Sequence, residues 1–375
     1  MLTNYIDYDT LPARGGKSML NYIRERINDF SLDFFINELV EAAKYLGVLE
    51  AKICTYKFNS ILVPMLHTKE AVSSMYIEGT QTTIPDVLEN EIQPKAGKEK
   101  ISVEVNNHIR ALIYGAEHLR IENFTHSFIQ KIHSVMMREL LPEGTEDNLG
   151  KYKKCDNRIV NSMGRVVFVP PSHNETKKYM DELITFMNNS RDNIHPLIKA
   201  AIIHSQFESI HPFSDGNGRV GRILVSLYLF KSKVINFPFF YISEAISQDK
   251  SVYYNMLTKS RMDNYNEWIK YFLTKIVIQT KKHIGYIDSL DKLYTQTKED
   301  VQKSINSPKY DAIIEYLFTH PVLDASGLSD ALSVSRGQAL RYLNSLEKEH
   351  ILLGNDKKRG RVYYFAELID LARGI

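Results

Sequence analysis

His211-Pro-Phe-Ser-Asp215-Gly-Asn-Gly-Arg219-Val-Gly-Arg222 gathers a base, a carboxylate, a glycine-rich turn and two arginines into one short run. A helical pattern precedes it at Leu197, Ala200, Ala201, His204, Phe207 and Ile210, and another follows at Val220, Ile223, Leu224, Leu227 and Tyr228. This three-to-four spacing predicts a loop between two helices. Gly216 and Gly218 lack a Cβ, so the backbone can turn sharply and bring its amides close to a ligand. The run opens directly into a helix, whose free N–H groups and positive dipole end suit an anion. Arg219 and Arg222 are three residues apart on one helix face, and their planar guanidinium groups fit phosphate oxygens. Two arginines point to more than one phosphate. Asp215 beside such a nest makes best sense as a ligand for a Mg²⁺ that bridges the phosphates. His211 is the one group in the run that accepts a proton near neutral pH. Together these parts describe phosphoryl or nucleotidyl transfer, with a base activating a hydroxyl.

The remainder of the chain sets bounds on that reading. Its 375 residues allow two or three domains, and 43% hydrophobic with 25% charged residues is an ordinary soluble composition. A formal charge of +2 gives no global pull toward nucleic acid or membrane. Cys54 and Cys155 have neither metal-ligand nor Cys-x-x-Cys spacing, and no apolar run approaches a membrane span. A cytoplasmic protein with free thiols is expected.

At His211 to Arg222 the chain resembles the Fic family, whose signature runs His-x-Phe-x-Asp/Glu-Gly-Asn-Gly-Arg-x-x-Arg, and every fixed position is matched. The resemblance implies transfer of AMP from ATP to a Ser, Thr or Tyr hydroxyl of a protein. It implies His211 as base, Asp215 as Mg²⁺ ligand, Gly216, Asn217 and Gly218 as the anion hole, and Arg219 and Arg222 as phosphate contacts. Upstream, Ser74-Met-Tyr-Ile-Glu78-Gly79 closes a pattern that is helical from Lys69, with Gly79 as its cap. A carboxylate at the negative end of a helix wants a cation. The run resembles the inhibitory motif of many Fic proteins, Ser/Thr-x-x-x-Glu-Gly/Asn, in which the glutamate pairs with the signature's second arginine. That resemblance implies Glu78 on Arg222, blocking the γ-phosphate and so productive ATP binding. A Tyr pair like Tyr253 and Tyr254 lies near the adenine in relatives, which implies Tyr254 as an adenine contact. Arg261 stands where some relatives place an asparagine, and Lys153 where an arginine is common.

In chain order, residues 1 to about 17 read as an extended arm. Asn28 to Leu49 reads as a helix with Phe34, Phe35, Leu39, Ala42, Ala43 and Leu46 on its apolar stripe. Two helices are expected between Ile101 and Leu141, their histidines 108, 118, 126 and 133 being surface or satisfied core groups. Arg158 to Val160 and Val166 to Val169 read as a β-hairpin. In Fic proteins a hairpin here, the flap, is thought to hold the target segment by strand addition. Ser251 to Leu257 and Trp268 to Ile287 read as helices. A charged run, Asp288 to Lys303, then leads to three short helices and a basic-tipped hairpin that resemble a winged helix. Ser333, Ser335, Arg336, Gln338 and Arg341 are types that touch DNA, and Lys357 to Arg361 would touch phosphate.

The expected fold is all-α: a Fic helical bundle with a short hairpin flap, an N-terminal helical inhibitory segment and a C-terminal winged helix-turn-helix. The expected domains are 1–95, 96–290 and 291–375. Partners implied are ATP, a protein target on the 158–169 flap, the chain itself as acceptor, and a second copy, since relatives are often dimers. Two other readings stand beside this one. In the first, the winged helix binds DNA and the Fic core senses nucleotide or modifies itself. In the second, the core uses another donor or removes AMP.

Overall fold

A computed structural model gives the structure of the protein for residues 20, 22–23, 30–56, 59–92, 99–160, 164–238, 240–262, 265–357 and 360–374. The arm expected for residues 1–17 and the hairpin tip at 161–163 lie outside the described residues. The helices in chain order are α1 (Ile36–Thr55), α2 (Asn59–Ile77), α3 (Ile84–Ile92), α4 (Glu99–Ile121), α5 (His126–Met136), α6 (His173–Asn188), α7 (Pro196–Ile210) and α8 (Asn217–Lys231). They continue as α9 (Ser243–Ser247), α10 (Lys250–Arg261), α11 (Tyr265–Ser304), α12 (Tyr310–Thr319), α13 (Ala325–Leu332), α14 (Arg336–Lys348) and α15 (Ala366–Arg373). The strands are β1 (Ile159–Val160), β2 (Val166–Phe168), β3 (Val322–Asp324), β4 (Leu353–Gly354) and β5 (Val362–Tyr364). The protein is therefore mainly helical, as expected. Among the described residues no helix is long and apolar enough to cross a membrane.

The fold divides into two compact units built from alternating stretches of chain. The first takes Met1–Val40, Arg110–Val234 and Asp249–Thr274. At its centre is α7, buried from Leu197 to Ile210 because α6, α8 and α10 all pack on it. Pro196 occupies its first turn, where the missing N–H costs nothing. The Trp268 indole donates to the Ala201 carbonyl at 2.8 Å, so its buried polar end is satisfied. Helix α5 starts on a Thr125 cap, whose hydroxyl accepts the Phe128 N–H at 3.1 Å. The flap is antiparallel, with Ile159 opposite Phe168 and Val160 opposite Val166. Its strands are shorter than the sequence pattern suggests, because the register shifts between Ile159 and Val160.

The second unit takes Glu41–Ile109, Ile235–Gln248 and Lys275–Ile375. Ala71, Met75, Val87 and Val105 form one of its apolar clusters. Helix α2 packs on α9, where the buried Glu70 carboxylate accepts the Ser243 amide at 3.1 Å and also the Ser243 hydroxyl. Thr83 and Asp86 cap α3 reciprocally: Thr83 Oγ1 donates to Asp86 at 2.6 Å and accepts the Asp86 amide at 3.3 Å. At the C-terminal end β3, β5 and β4 form a three-stranded antiparallel sheet in that order; β3 packs on α3 and α13, and α13 packs in turn on α12 and α14. Tyr364 on β5 donates to Glu89 on α3 at 2.9 Å.

Two expectations are corrected. The stripe assigned to the first helix is narrower: Phe34 lies in a 3₁₀ turn ahead of α1 and is exposed, and Ala43 faces solvent. The charged run Asp288 to Lys303 continues α11, a helix of 40 residues. Leu290, Thr297 and Val301 are its buried face, seven and then four residues apart within a polar surround.

Candidate active site

The signature residues occupy the junction of α7 and α8. Helix α7 ends at His211, which caps it in the left-handed region (φ 48°) while its N–H donates to the Phe207 carbonyl at 3.0 Å. A non-glycine residue there costs about 1–2 kcal/mol, so other bonds must hold it. Asn157 supplies them, donating through Nδ2 to the carbonyls of His211 and Phe213, each at 3.1 Å. Asn217 closes the loop from inside: its Oδ1 accepts the Phe213 N–H at 2.8 Å and its Nδ2 donates to the Phe213 carbonyl at 2.9 Å. Lys153 braces the outside. Its ammonium donates to Asn157 Oδ1 at 2.7 Å and the Ile210 carbonyl at 3.3 Å, and its N–H donates to the Pro212 carbonyl at 2.8 Å. Burial pulls the Lys153 ammonium down to about 8.

His211 places Nδ1 3.4 Å from the Glu208 carbonyl. A proton on Nδ1 facing that oxygen leaves the Nε2 lone pair as the basic site. Gly216 turns the chain at φ 77° into α8, whose first-turn amides have no intrahelical acceptor. Asp215 Oδ1 accepts the Gly216 N–H at 2.5 Å and Arg219 Nη2 at 3.2 Å, with half of the Asp215 side chain exposed. Arg222 lies one turn on, 2% exposed. Burial, and then the Arg222 charge, hold His204 neutral, down to about 3, while its Nε2 bonds the Tyr253 hydroxyl at 2.8 Å. His133 locks the loop from below. Its Nδ1 accepts the Gly150 N–H at 3.0 Å, so Nε2 carries the proton and donates to the Asp215 carbonyl at 3.1 Å. Its ring stacks on Phe213 with centroids 3.9 Å apart.

Among the described residues no group of three or more His, Cys, Asp or Glu could hold a metal ion by itself. One half-exposed carboxylate beside an anion seat does fit Mg²⁺, which takes one or two protein carboxylates and completes its shell with phosphates and water.

The sequence model of the Fic/DOC family matches residues 123–229, and that of the Fic/DOC family N-terminal region matches residues 36–117. The chain belongs to the Fic/DOC family. A probable protein adenylyltransferase of Aquifex aeolicus (strain VF5) is 24% identical over 235 residues, covering 61% of this chain and 67% of its own. The Fic protein adenylyltransferase of Nematostella vectensis is 25% identical over 232 residues, covering 57% of this chain and 50% of its own. The chain thus spans about two thirds of the first relative and half of the second. A Fic family protein from Desulfovibrio desulfuricans G20 shares the fold with a TM-score of 0.56 at 19% identity, over 88% of this chain and 95% of that one.

Tyr253 is core, packed with His204 and Trp268, whereas Tyr254 beside it is 43% exposed on α10. In the second unit α2 ends at Ile77 in a Schellman cap: Gly79 (φ 97°) donates to the Tyr76 carbonyl and Thr80 to the Met75 carbonyl, each at 3.1 Å. Ser74 is buried in that helix and Glu78 at its end is exposed. In the C-terminal hairpin Arg361 ion-pairs with Glu347 at 2.6 Å, which neutralises one of the basic residues read as phosphate contacts. Lys358 and Arg359 lie outside the described residues.

Arg261 has a place that the sequence left open. Its guanidinium lies 4.5 Å from the ring centroid of Phe168 on flap strand β2, and its Nε donates to Ser209 at 3.1 Å. Burial pulls it down to about 10 and the Glu208 carboxylate opposes that shift. Arg261 thus clamps the flap to α7. A cation–π contact of about 0.5–2 kcal/mol sets the scale. Arg261→Gln should speed backbone amide exchange of Val166 to Phe168 by about tenfold while leaving α7 protected. Unchanged exchange in the flap would remove Arg261 from this role.

Proposed function

We propose that the chain is a protein adenylyltransferase, transferring AMP from ATP to a Ser, Thr or Tyr hydroxyl. What supports this reading is the locked loop, which joins His211 at the end of α7 to the N-terminus of α8, the helix that carries Arg219 and Arg222. His211 Nε2 takes the proton of the acceptor hydroxyl, whose oxygen forms a bond to the α-phosphorus. The bond from that phosphorus to the bridging oxygen of pyrophosphate breaks, and the electron pair leaves on pyrophosphate. Arg219, Arg222 and the first-turn amides hold the charge that develops on the departing phosphates. Asp215 would hold Mg²⁺, which neutralises phosphate charge when bound. Arg219 currently spends one nitrogen on Asp215, so polyphosphate and metal would draw that pair apart, each taking one partner.

Exposed Val160 and Val166 leave the flap a two-stranded edge for an extended target segment, and the clamped Phe168 keeps it in register. Glu78 supplies the brake in this reading, pairing with Arg222 in place of the γ-phosphate. Its support is the motif Ser74 to Gly79 and the capped helix end that presents an exposed carboxylate. Both cysteines are free thiols, which supports a reducing, cytoplasmic setting.

The test is intact mass after incubation with ATP and Mg²⁺ of wild type, Glu78→Gly and Glu78→Gly/His211→Ala. The expected result is one added AMP, mainly on Glu78→Gly and absent from the double variant. Equal, strong labelling of wild type and Glu78→Gly would overturn the brake, and no labelling of any of them would overturn the donor.

A further inference from the structure

We propose that the second compact unit carries a binding site for a small phosphate-bearing molecule, in a cavity of about 380 Å³ lined by Lys69, Glu244, Lys282, Tyr286 and Arg373. None of these residues belongs to the signature or takes part in the transfer described above. They come from helices far apart in the sequence: Lys69 from α2, Glu244 from α9, Lys282 and Tyr286 from α11, and Arg373 from α15.

Charge balance identifies the ligand class. Among the described residues Glu244 is the one carboxylate on the wall, and it is already engaged. It accepts Lys282 Nζ at 3.0 Å and Gln279 Nε2 at 3.1 Å, with Lys69 Nζ farther off at 3.8 Å. Lys69 is therefore a second cation on a charge that another lysine has claimed. Its side chain is only 11% exposed, and its ammonium lies 4.9 Å from the Tyr286 ring centroid. Burial lowers the proton affinity of Lys69, with the Lys282 charge acting in the same direction against Glu244. Arg373 adds a third cation, paired with the half-exposed Asp370 at 3.3 Å, where solvent screens the interaction.

A dianion would balance the three cations and the one carboxylate. Donors converging from three separate helices suit the several oxygens of a phosphoryl group better than the two of a carboxylate. The cavity is larger than one phosphate needs, and the Tyr286 ring gives the remaining space an apolar wall.

Inorganic pyrophosphate is the probe, titrated calorimetrically into the full chain at ionic strength held constant with chloride. The signature loop is a second phosphate site, so the titration is done in Arg219→Gln, which weakens that site alone. Binding should persist there and weaken at least tenfold when Lys282→Gln and Arg373→Gln are added. These two side chains are partly exposed, so the variant should keep its fold. Lys69→Gln should weaken binding similarly without touching the exposed rim. Three results would overturn the proposal: no binding to Arg219→Gln, equal binding after the cavity substitutions, or equal affinity for succinate. None of these bears on adenylyl transfer, which the Glu78→Gly mass measurement reads separately.

Discussion

Gly216→Ala, placed in the Glu78→Gly chain, should slow self-modification by about a hundredfold or more while the helices remain folded. Two physical terms act on this residue at once. Its φ of 77° is a left-handed conformation that costs an alanine about 1–2 kcal/mol. A Cβ there would also sit 2.5 Å from Met137 Sδ and 2.8 Å from Met137 Cγ, and Met137 is fully buried. The chain cannot relieve the second term without moving the loop or repacking the end of α5. Either motion shifts the Gly216 amide and the start of α8, and displacement of a catalytic array by about 1 Å costs on the order of a hundredfold in rate. Gly164 in the flap turn separates the two terms. It has nearly the same φ, 75°, but its Cβ would meet nothing within 4 Å. Gly164→Ala should therefore lose only the conformational term and slow the reaction little. Single-turnover labelling followed by intact mass compares the variants, and equal rates for Gly216→Ala and its parent would show that the loop tolerates displacement.

The signature was legible because its chemistry is local. His211, Asp215, Arg219 and Arg222 are held near one another by a turn and one helical turn, so spacing alone places them together. The residues that fix the loop are remote in sequence and ordinary in type. Asn157 reaches His211 from 54 residues away, and His133 reaches Asp215 from 82. Neither advertises itself: a single asparagine or an isolated histidine carries no periodicity, and His133 was legible only as a satisfied core group. Arg261 stood out as an unusual residue, yet its contact with Phe168 depends on how the flap lies over α7. At the other end of the chain the helices α12, α13 and α14 followed from their apolar spacing. Strand β3 did not, because Val322 to Asp324 is too short to show an alternation. The charged continuation of α11 was hidden for a different reason. Its buried positions at 290, 297 and 301 are diluted by lysines and acids that a solvated helix face can hold.

His133→Gln should weaken the fold and, more tellingly, change how the fold responds to acid. The side chain makes two buried bonds, to the Gly150 amide and the Asp215 carbonyl, and stacks on Phe213. Glutamine can keep one of these bonds but not both, and it forfeits the stacked ring. A loss of about 2–4 kcal/mol near neutral pH follows from the lost bond and packing. Burial pushes His133 down to about 4, from an ordinary value near 6.5. The unfolded chain therefore binds a proton there between pH 6.5 and 4 that the folded chain refuses, so stability falls with pH across that window. For one group this is on the order of 3 kcal/mol, fully present above pH 6.5 and lost toward pH 4. His67 and His283, each pushed to about 4 by burial, and His204, at about 3, add slopes of the same sign. Wild type alone cannot assign the effect, but the difference between wild type and His133→Gln can, since the other histidines are common to both. Urea unfolding at pH 7.5 and 5 should show that difference shrinking at the lower pH, because protonation of His133 already taxes the wild type. A difference that is the same at both values would mean that His133 accepts a proton in the folded state as readily as in the unfolded one. The Gly150 amide, aimed at Nδ1, opposes that: a protonated ring would set two donors against each other inside the loop that carries His211.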